Sequence, residues 1–176
     1  IAAEKAYGIT ISNNARLVRN LIEGAQFLHS HILWFYNLCS LDYVNPLDAL
    51  NADVADTYAL AQAAGTSMDT DFLLLKEKLA GFAANGQLSI FSGNWFNCDD
   101  GEGYKLSPEL NLICTAHYLE ALKMQARASE IAALLGGKMP HVMTITPGGT
   151  AFVLPSPSSM TSWQWQTRSM TGSPPP

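Results

Sequence analysis

The chain has 176 residues, of which 48% are hydrophobic and only 14% are charged. Soluble domains usually have about a quarter of their residues charged, so this chain has little polar cover for its apolar residues. The net charge of −5, together with the lack of any basic cluster, argues against a nucleic-acid-binding protein. The apolar content excludes a chain that is disordered throughout. No stretch reaches the roughly 18 uninterrupted apolar residues that a transmembrane helix needs.

The first predicted helix begins near Ser12, where short polar side chains can accept hydrogen bonds from the first free amides. Apolar residues then recur every three or four positions, which is the period of an α-helix. They form two stripes: Leu17, Leu21, Ala25, Leu28, Ile32 and Phe35 in the first, and Val18, Ile22, Phe27, Trp34 and Leu38 in the second. Because the second half is apolar around most of its circumference, we expect this helix to be buried inside a larger protein.

A second helix is predicted to start at Asn45-Pro46 and to reach Ala64. The asparagine caps the helix, and a proline in the first turn loses no hydrogen bond because its missing amide would have no partner there. Gly65 follows as the expected stop, because glycine readily adopts the left-handed conformation that ends a helix.

A third helix is predicted to begin at a cap formed by Asp69 or Thr70 and to end at Asn85-Gly86. Its inner stripe is predicted to contain Phe72, Leu75, Leu79 and Phe82. Residues 87–91 tolerate extended backbone and are predicted to form either a short strand or a link. Residues 93–103 are polar and contain glycine, which indicates a loop.

The clearest helix signal is Ser107-Pro108-Glu109, which combines a capping serine, a proline in the first turn and an acidic residue near the helix N-terminus. The apolar period that follows predicts a helix that extends to Gly136-Gly137. Residues 138–149 are predicted to form a long loop, and the Ser- and Pro-rich residues 154–176 a disordered tail. The residues alone therefore predict a mainly α-helical domain.

Histidines are the first candidates for a metal site, but their spacing completes none. His29 and His31 are two positions apart, which on a regular helix directs their side chains roughly 200° apart. We therefore expect two hydrogen-bonded histidines on different faces of a buried helix. His117 shares a helix face with Cys114 and with Glu120, but a structural zinc site needs four ligands. A packed or hydrogen-bonded core histidine is the favoured interpretation of His117.

Cysteines and carboxylates do not complete a site either. An odd number of cysteines without any Cys-x-x-Cys spacing fits neither a disulfide framework nor a zinc site, so free buried thiols are expected. These are Cys39, Cys98 and Cys114. A cluster of Asp99, Asp100 and Glu102 lacks the spacing of a calcium loop, which favours a solvated acidic turn.

Four motifs, in this order along the chain, resemble the large subunit of nickel–iron hydrogenases. They are Asn-Ala-Arg-Leu-Val-Arg-Asn-Leu-Ile at residues 14–22 with His-Ser-His-Ile-Leu-Trp-Phe-Tyr at 29–36, Tyr-Lys-Leu-Ser-Pro-Glu at 104–109, Ala-His-Tyr-Leu-Glu-Ala-Leu at 116–122, and Gly-Gly-Lys-Met-Pro-His at 136–141 with Pro-Gly-Gly at 147–149. The resemblance extends from residue 1 to about residue 153. It implies a mainly α fold whose core is a bundle of long helices, with little or no β structure.

The resemblance also implies the reversible oxidation of molecular hydrogen to protons and electrons. In that family a nickel–iron centre with cyanide and carbon monoxide ligands is held by two Cys-x-x-Cys pairs, and an iron–sulfur small subunit receives the electrons. This sequence contains neither pair. Because residue 1 is Ile and both pairs are missing, we expect a central fragment, inactive alone, that exposes apolar faces made for the rest of the large subunit and for the small subunit.

Site residues carried over from the resemblance are few. His141 matches a family histidine that lies towards the small subunit, so it is expected at the interface and not as a metal ligand. Residues expected around the metal site, with less defined roles, are His29, His31, His117, Arg16 and Arg19. Relatives commonly have an acidic residue where Ser30 stands, so a proton-relay role is not assigned to that position. Helix-anchoring salt bridges are the alternative role of the two arginines.

Three further expectations complete the hypothesis. The enzyme is expected at the periplasmic face of the membrane through its small subunit, with a cytoplasmic location as the alternative. A metal-free subunit of a quinone-reducing respiratory complex and a helical scaffold or interaction module are the alternative functions. The break in composition at residues 153–154 separates a central helical portion, 1–153, from a tail, 154–176, that is either disordered or the product of a reading-frame error.

Overall fold

The computed structural model describes residues 2–66, 69–91 and 104–153 and confirms the mainly helical fold. The five α-helices in this part of the chain are α1 (Ala2–Ala6), α2 (Asn13–Ile32), α3 (Val54–Ala63), α4 (Phe72–Ala84) and α5 (Pro108–Gly136). One two-stranded antiparallel sheet, β1 (Ile145–Thr146) and β2 (Gly149–Thr150), follows α5. None of the helices in these three ranges is both long enough and apolar enough to cross a membrane.

Helix α2 begins where the sequence predicts, because the Ser12 hydroxyl oxygen accepts a hydrogen bond from the Ala15 amide at 3.2 Å. It continues as a π-helical segment, Leu33–Cys39, and a 3-10 turn, Ser40–Asp42. Within the described chain it buries Ala15, Val18, Arg19, Ile22 and Ala25. Neither predicted stripe is buried over its whole length, since Leu17 and Leu21 of the first are 61% and 59% exposed and Phe27 of the second is 59% exposed.

The single helix predicted from Asn45 to Ala64 is wrong in its continuity. Asn45 does cap a turn, since its side-chain oxygen accepts from the Leu47 amide at 3.0 Å. That turn is a short 3-10 segment, Asp48–Asn51, after which the chain becomes extended. Asp53 accepts hydrogen bonds from the amides of Ala55 and Asp56 at 2.8 and 3.0 Å and starts α3. The short aspartate side chain thus starts a new helix inside the predicted one.

The cap of α4 is Asp71, not Asp69 or Thr70. Its carboxylate accepts from the Leu74 amide at 2.9 Å. The helix starts later because the Tyr58 hydroxyl donates to the Thr70 carbonyl at 3.4 Å and accepts from the Phe72 amide at 3.2 Å, which holds the preceding residues outside the helix. These partners lie more than ten residues away, so the local pattern did not contain them.

The inner stripe of α4 is confirmed for Phe72, Leu75 and Leu79, whereas Phe82 is 42% exposed. Asn85 ends the helix and Gly86 has a φ of 72°, as predicted. The link after it is a 3-10 turn, Ser89–Phe91, rather than a strand or an extended segment. The loop predicted at 93–103 and the tail at 154–176 lie outside the described residues, and the domain boundary at residue 153 stays a prediction.

Helix α5 has the predicted limits. Ser107 caps it through a 3.3 Å hydrogen bond from the Leu110 amide, and Gly137, with a φ of 82°, follows its end. The segment predicted as a long loop contains the hairpin of β1 and β2, in which Ile145 pairs with Thr150 and Thr146 with Gly149.

The chain divides into two compact units, and α2 and α5 each contribute to both. Unit 1 contains Ile1–Ser30 and Gln125–Pro176, and unit 2 contains His31–Met124. The core of unit 2 contains Ala49, Ala52, Ala61, Phe72, Leu75, Leu79, Leu112, Ile113 and Ala116. The buried hydrophobic residues of unit 1 are smaller: Ala15, Val18, Ile22, Ala25, Ala128 and Ala132.

Candidate functional site

The best-defined polar site in unit 1 is an ion pair between Arg19 and Glu4. Helix α2 places Arg19 on the same face as Val18 and Ile22, so its side chain is only 5% exposed. The guanidinium donates from Nη1 to Glu4 Oε2 and from Nη2 to Glu4 Oε1, each at 2.8 Å. This two-pronged geometry is the strong form of an arginine–carboxylate pair.

The same two side chains also hold the hairpin. Arg19 donates to the Gly149 carbonyl from Nη2 at 2.7 Å and from Nε at 3.1 Å, and to the Thr146 carbonyl from Nη2 at 2.8 Å. In the opposite direction, the Gly148 amide donates to Glu4 Oε1 at 2.8 Å. Gly148 has a φ of 80°, which a residue with a side chain rarely adopts. We call Glu4, Arg19 and the main chain of Thr146, Gly148 and Gly149 the Arg19–Glu4 clamp.

Both charges in the clamp are stable at neutral pH. The hydrogen bond from Arg19, followed by the one from the Gly148 amide, lowers the pKa of Glu4 from 4.5 to about 2. The hydrogen bond with Glu4 raises the pKa of Arg19. The salt-bridge role considered for the arginines therefore fits Arg19. Arg16 is exposed instead, and it donates to the Asn13 side chain at 2.8 Å.

His141 lies in the connection between α5 and the hairpin. Its side chain is exposed, and its φ of 65° is uncommon for a residue other than glycine. After it, the Met143 amide donates to the Gly136 carbonyl at 2.8 Å, and the Thr144 hydroxyl donates to the Leu135 carbonyl at 3.0 Å. These bonds attach the end of the connection to the last turn of α5.

The other predicted histidines lie in different environments. His29 is half-buried and His31 is exposed, so the expectation of two buried histidines is wrong for His31. The reason is that the buried face of α2 carries Val18 and Ile22 and not the position of His31. His117 is packed as predicted: it is half-buried and stacks on Tyr36, with ring centroids 6.5 Å apart and planes at 16°.

The described residues do not fit the ligand set of a nickel–iron centre. They contain no group of three or more His, Cys, Asp or Glu side chains that could hold a metal ion. Cys39 and Cys114 are free and half-buried rather than fully buried. Burial raises the pKa of the Cys114 thiol, which disfavours the thiolate that soft metals bind. Cys98 and the acidic cluster of Asp99, Asp100 and Glu102 lie outside the described residues.

Unit 2 has one fully buried polar side chain that joins several segments, Asn111. Its oxygen accepts from the Asn45 amide at 3.0 Å, and its amide group donates to Asp48 Oδ2 at 3.0 Å and to the Leu106 carbonyl at 3.2 Å. A nearby cavity of about 220 Å³ is lined by apolar side chains and the hydroxyl-bearing Thr115 and Tyr118. The lining contains no His, Cys, Asp or Glu side chain, so this cavity offers none of the common metal ligands.

Sequence reasoning missed Glu4 and Asn111. Arg19 offered a signal, because a charged residue on the face of Val18 and Ile22 must find a partner when that face is buried. The identity of the partner was not contained in that signal. Asn111 offered none, because an asparagine in an amphipathic helix has the same local pattern whether it is exposed or buried.

Comparisons with known proteins agree with this architecture. A family model described as nickel-dependent hydrogenase matches residues 1–169. The chain is 39% identical over 153 residues to the hydrogenase-2 large chain of Escherichia coli (strain K12), which covers 85% of this chain and 26% of that protein. It is 40% and 43% identical over 144 residues to the uptake hydrogenase large subunits of Rhodobacter capsulatus and Rhizobium leguminosarum bv. viciae, which covers 80% of this chain and 24% of each relative. The chain spans about a quarter of the length of these relatives. On this evidence, the chain belongs to the nickel-dependent hydrogenase family.

Proposed function

We propose that this chain is part of the catalytic large subunit of a nickel–iron hydrogenase. The enzyme oxidises molecular hydrogen reversibly, H2 giving two protons and two electrons, and passes the electrons to an iron–sulfur small subunit. The observation that supports this proposal is the family match over residues 1–169, together with relatives named as hydrogenase large subunits.

The role proposed for this segment is structural support of the reaction centre. A nickel–iron centre with cyanide and carbon monoxide ligands would be held by cysteines outside residues 1–176, because this sequence contains neither Cys-x-x-Cys pair of the family. The described residues also offer no group of three or more possible ligands. Two of the motifs that carry the resemblance, residues 14–22 and 147–149, meet in the Arg19–Glu4 clamp.

His141 is proposed to face the electron-accepting subunit. Its exposed side chain at the end of the Gly-Gly-Lys-Met-Pro-His motif is compatible with a contact to another chain. An imidazole at such a place would be able to donate a hydrogen bond to a cluster sulfur or to a backbone group, and would tune electron transfer without binding nickel. The residues proposed around the metal site, without individual roles, are His29, His31, His117 and Arg16.

The assembled enzyme is proposed to lie at the periplasmic face of the membrane through its small subunit. Fractionation of cells tests this location.

The test uses the full-length protein that contains this segment, purified with its small subunit. We expect hydrogen-dependent reduction of an electron acceptor and bound nickel in that protein, and Cys-x-x-Cys pairs on both sides of this segment. His141→Ala should slow acceptor reduction by about tenfold while nickel content stays near normal.

Lys78→Ala is the control, because Lys78 is also an exposed basic residue but lies on α4 and has no proposed role. This control should slow the rate of acceptor reduction less than His141→Ala does. A full-length protein without hydrogen uptake would contradict the proposed function. Loss of nickel in the His141→Ala enzyme would contradict the role given to His141.

A further inference from the structure

Arg19 is bound more completely than a helix-anchoring salt bridge requires. Its guanidinium makes five hydrogen bonds, two to the Glu4 carboxylate and three to the carbonyls of Thr146 and Gly149. Withdrawing an arginine and a carboxylate from water is costly unless both are paired and hydrogen-bonded. A buried apolar residue would fill the same face of α2 without that cost. The arrangement therefore calls for an explanation beyond stability.

We infer that the Arg19–Glu4 clamp is a positioning device. It holds the hairpin at residues 144–151, and with it the exposed segment at residues 137–143, in the one orientation that the electron-accepting subunit binds. The inference rests on the proposed function, because that function supplies the partner subunit.

The exposed segment is attached at both of its ends. At the α5 end, an ideal Cβ on Gly136 would lie 2.8 Å from Val142 Cγ1, so Val142 packs directly on the helix backbone. The Met143 amide and the Thr144 hydroxyl bind the last carbonyls of α5. At the hairpin end, the Ala151 amide donates to the Thr144 carbonyl at 2.7 Å, and the clamp holds the turn at Gly148 and Gly149.

The exposed segment and strand β1 beside it present basic and apolar side chains. Lys138 and His141 are exposed, and Met143 and Ile145 are 69% and 48% exposed. Methionine is enriched at surfaces that bind another protein, and neighbouring exposed apolar side chains often mark such a surface. His141 holds its side chain outward from a left-handed backbone, a conformation that requires support from its surroundings. Rigid attachment lowers the entropy cost of binding such a surface.

The clamp requires an arginine at position 19. Only a planar guanidinium can bind both oxygens of Glu4 and two carbonyls at once, whereas an ammonium group has three donors on one atom. Arg19→Lys keeps the charge but should lose the contacts to the hairpin. Glu4→Gln keeps the size and one accepting oxygen, so it should loosen the hairpin less.

The experiment measures hydrogen exchange and subunit binding in the full-length enzyme with its small subunit. In Arg19→Lys, exchange of the amides at residues 144–151 should rise by about tenfold or more, because several charge-assisted hydrogen bonds are lost. Exchange at residues 111–122 of unit 2 should not change, which separates a local effect from general unfolding. Glu4→Gln should give a smaller rise in the same segment.

Arg16→Lys is the matched control. Arg16 lies one turn earlier on α2 and is exposed, and its guanidinium donates a hydrogen bond to the Asn13 side chain and not to the hairpin. It should change neither segment. In Arg19→Lys, the dissociation constant of the small subunit should rise by about tenfold, while the nickel content of the large subunit stays normal.

Three results would overturn the inference. The first is unchanged exchange at residues 144–151 in Arg19→Lys. The second is a loosened hairpin with an unchanged dissociation constant, which would make the clamp a stabilising contact only. The third is an equal rise in Arg16→Lys. A failure of the proposed function is distinguishable, because it would appear as lack of hydrogen uptake in the unchanged enzyme.

Discussion

Unit 2 and unit 1 hold their segments together by different means. Unit 2 buries large side chains, among them Phe72, Leu75 and Leu112, around one satisfied asparagine. The buried hydrophobic residues of unit 1 are mostly alanine and valine, and a charged arginine lies among them. Small side chains remove less apolar area from water, so they contribute less to stability than leucine or phenylalanine.

Unit 1 therefore depends more than unit 2 on directional contacts. An apolar core is insensitive to the charge of any one group, whereas the Arg19–Glu4 clamp requires an ionised carboxylate and fixed distances. In exchange, the clamp specifies where a distant turn of the chain lies. Changes in the two units should therefore differ in size and in their dependence on pH.

The largest effect is expected from Phe72→Ala. Phe72 is 1% exposed and packs edge-to-face on Tyr58, so its removal leaves a cavity in unit 2. We expect a loss of about 3–5 kcal/mol in the free energy of opening α4, measured by native-state hydrogen exchange. The neighbouring Leu73 is 55% exposed, and Leu73→Ala should cost less than about 0.5 kcal/mol. Similar losses in both variants would contradict the assignment of the core.

A smaller loss is expected from Asn111→Ala, which tests the polar centre of unit 2. The change leaves the Asn45 amide and the Leu106 carbonyl without this partner, at a cost of about 1–3 kcal/mol in the free energy of unfolding. Asn51 is the control, because its exposed side chain also donates to Asp48, at 3.1 Å. If Asn51→Ala in a urea titration is as damaging as Asn111→Ala, burial is not what makes Asn111 important.

In unit 1, Gly136→Ala tests the packing of Val142 on the end of α5. The new methyl group would meet Val142 Cγ1 at 2.8 Å, and we expect a destabilisation of about 1–2 kcal/mol in thermal or urea unfolding. Adding Val142→Ala should restore part of that loss, because it removes the side chain in conflict. Gly24→Ala is the control, since nothing lies within 4 Å of its ideal Cβ, and alanine there should be neutral or slightly stabilising. No recovery in the double variant would argue against this contact.

The last prediction concerns pH. Because Arg19 lowers the pKa of Glu4 from 4.5 to about 2, the clamp contributes stability above pH 4.5 and loses it as the pH falls towards 2. NMR titration of the Glu4 carboxyl should show this low pKa, and Arg19→Lys should move it closer to 4.5. Arg16→Lys should leave it unchanged. A Glu4 pKa near 4.5 in the unchanged protein would show that the ion pair does not form.

Local sequence signals succeeded where neighbouring residues decide the structure. Ser12 and Ser107 cap their helices as predicted, because a capping oxygen binds an amide only three residues away. Gly65, Gly86 and Gly137 have positive φ at or after helix ends, because glycine tolerates that conformation. The mainly helical fold and the family resemblance were predictable for the same reason, since both depend on residue type and order.

Only the tertiary structure decided which of several local possibilities was used. Asp53 starts a helix within a predicted helix, and Tyr58 moves the start of α4 to Asp71, although Asp69 and Thr70 are equally good caps. The exposure of Leu17 and Leu21 and the burial of Arg19 likewise depend on what packs against α2. Of the partners of Arg19, Glu4 lies 15 residues away in the sequence, and Gly149 lies 130 residues away. No local pattern encodes a contact across that distance.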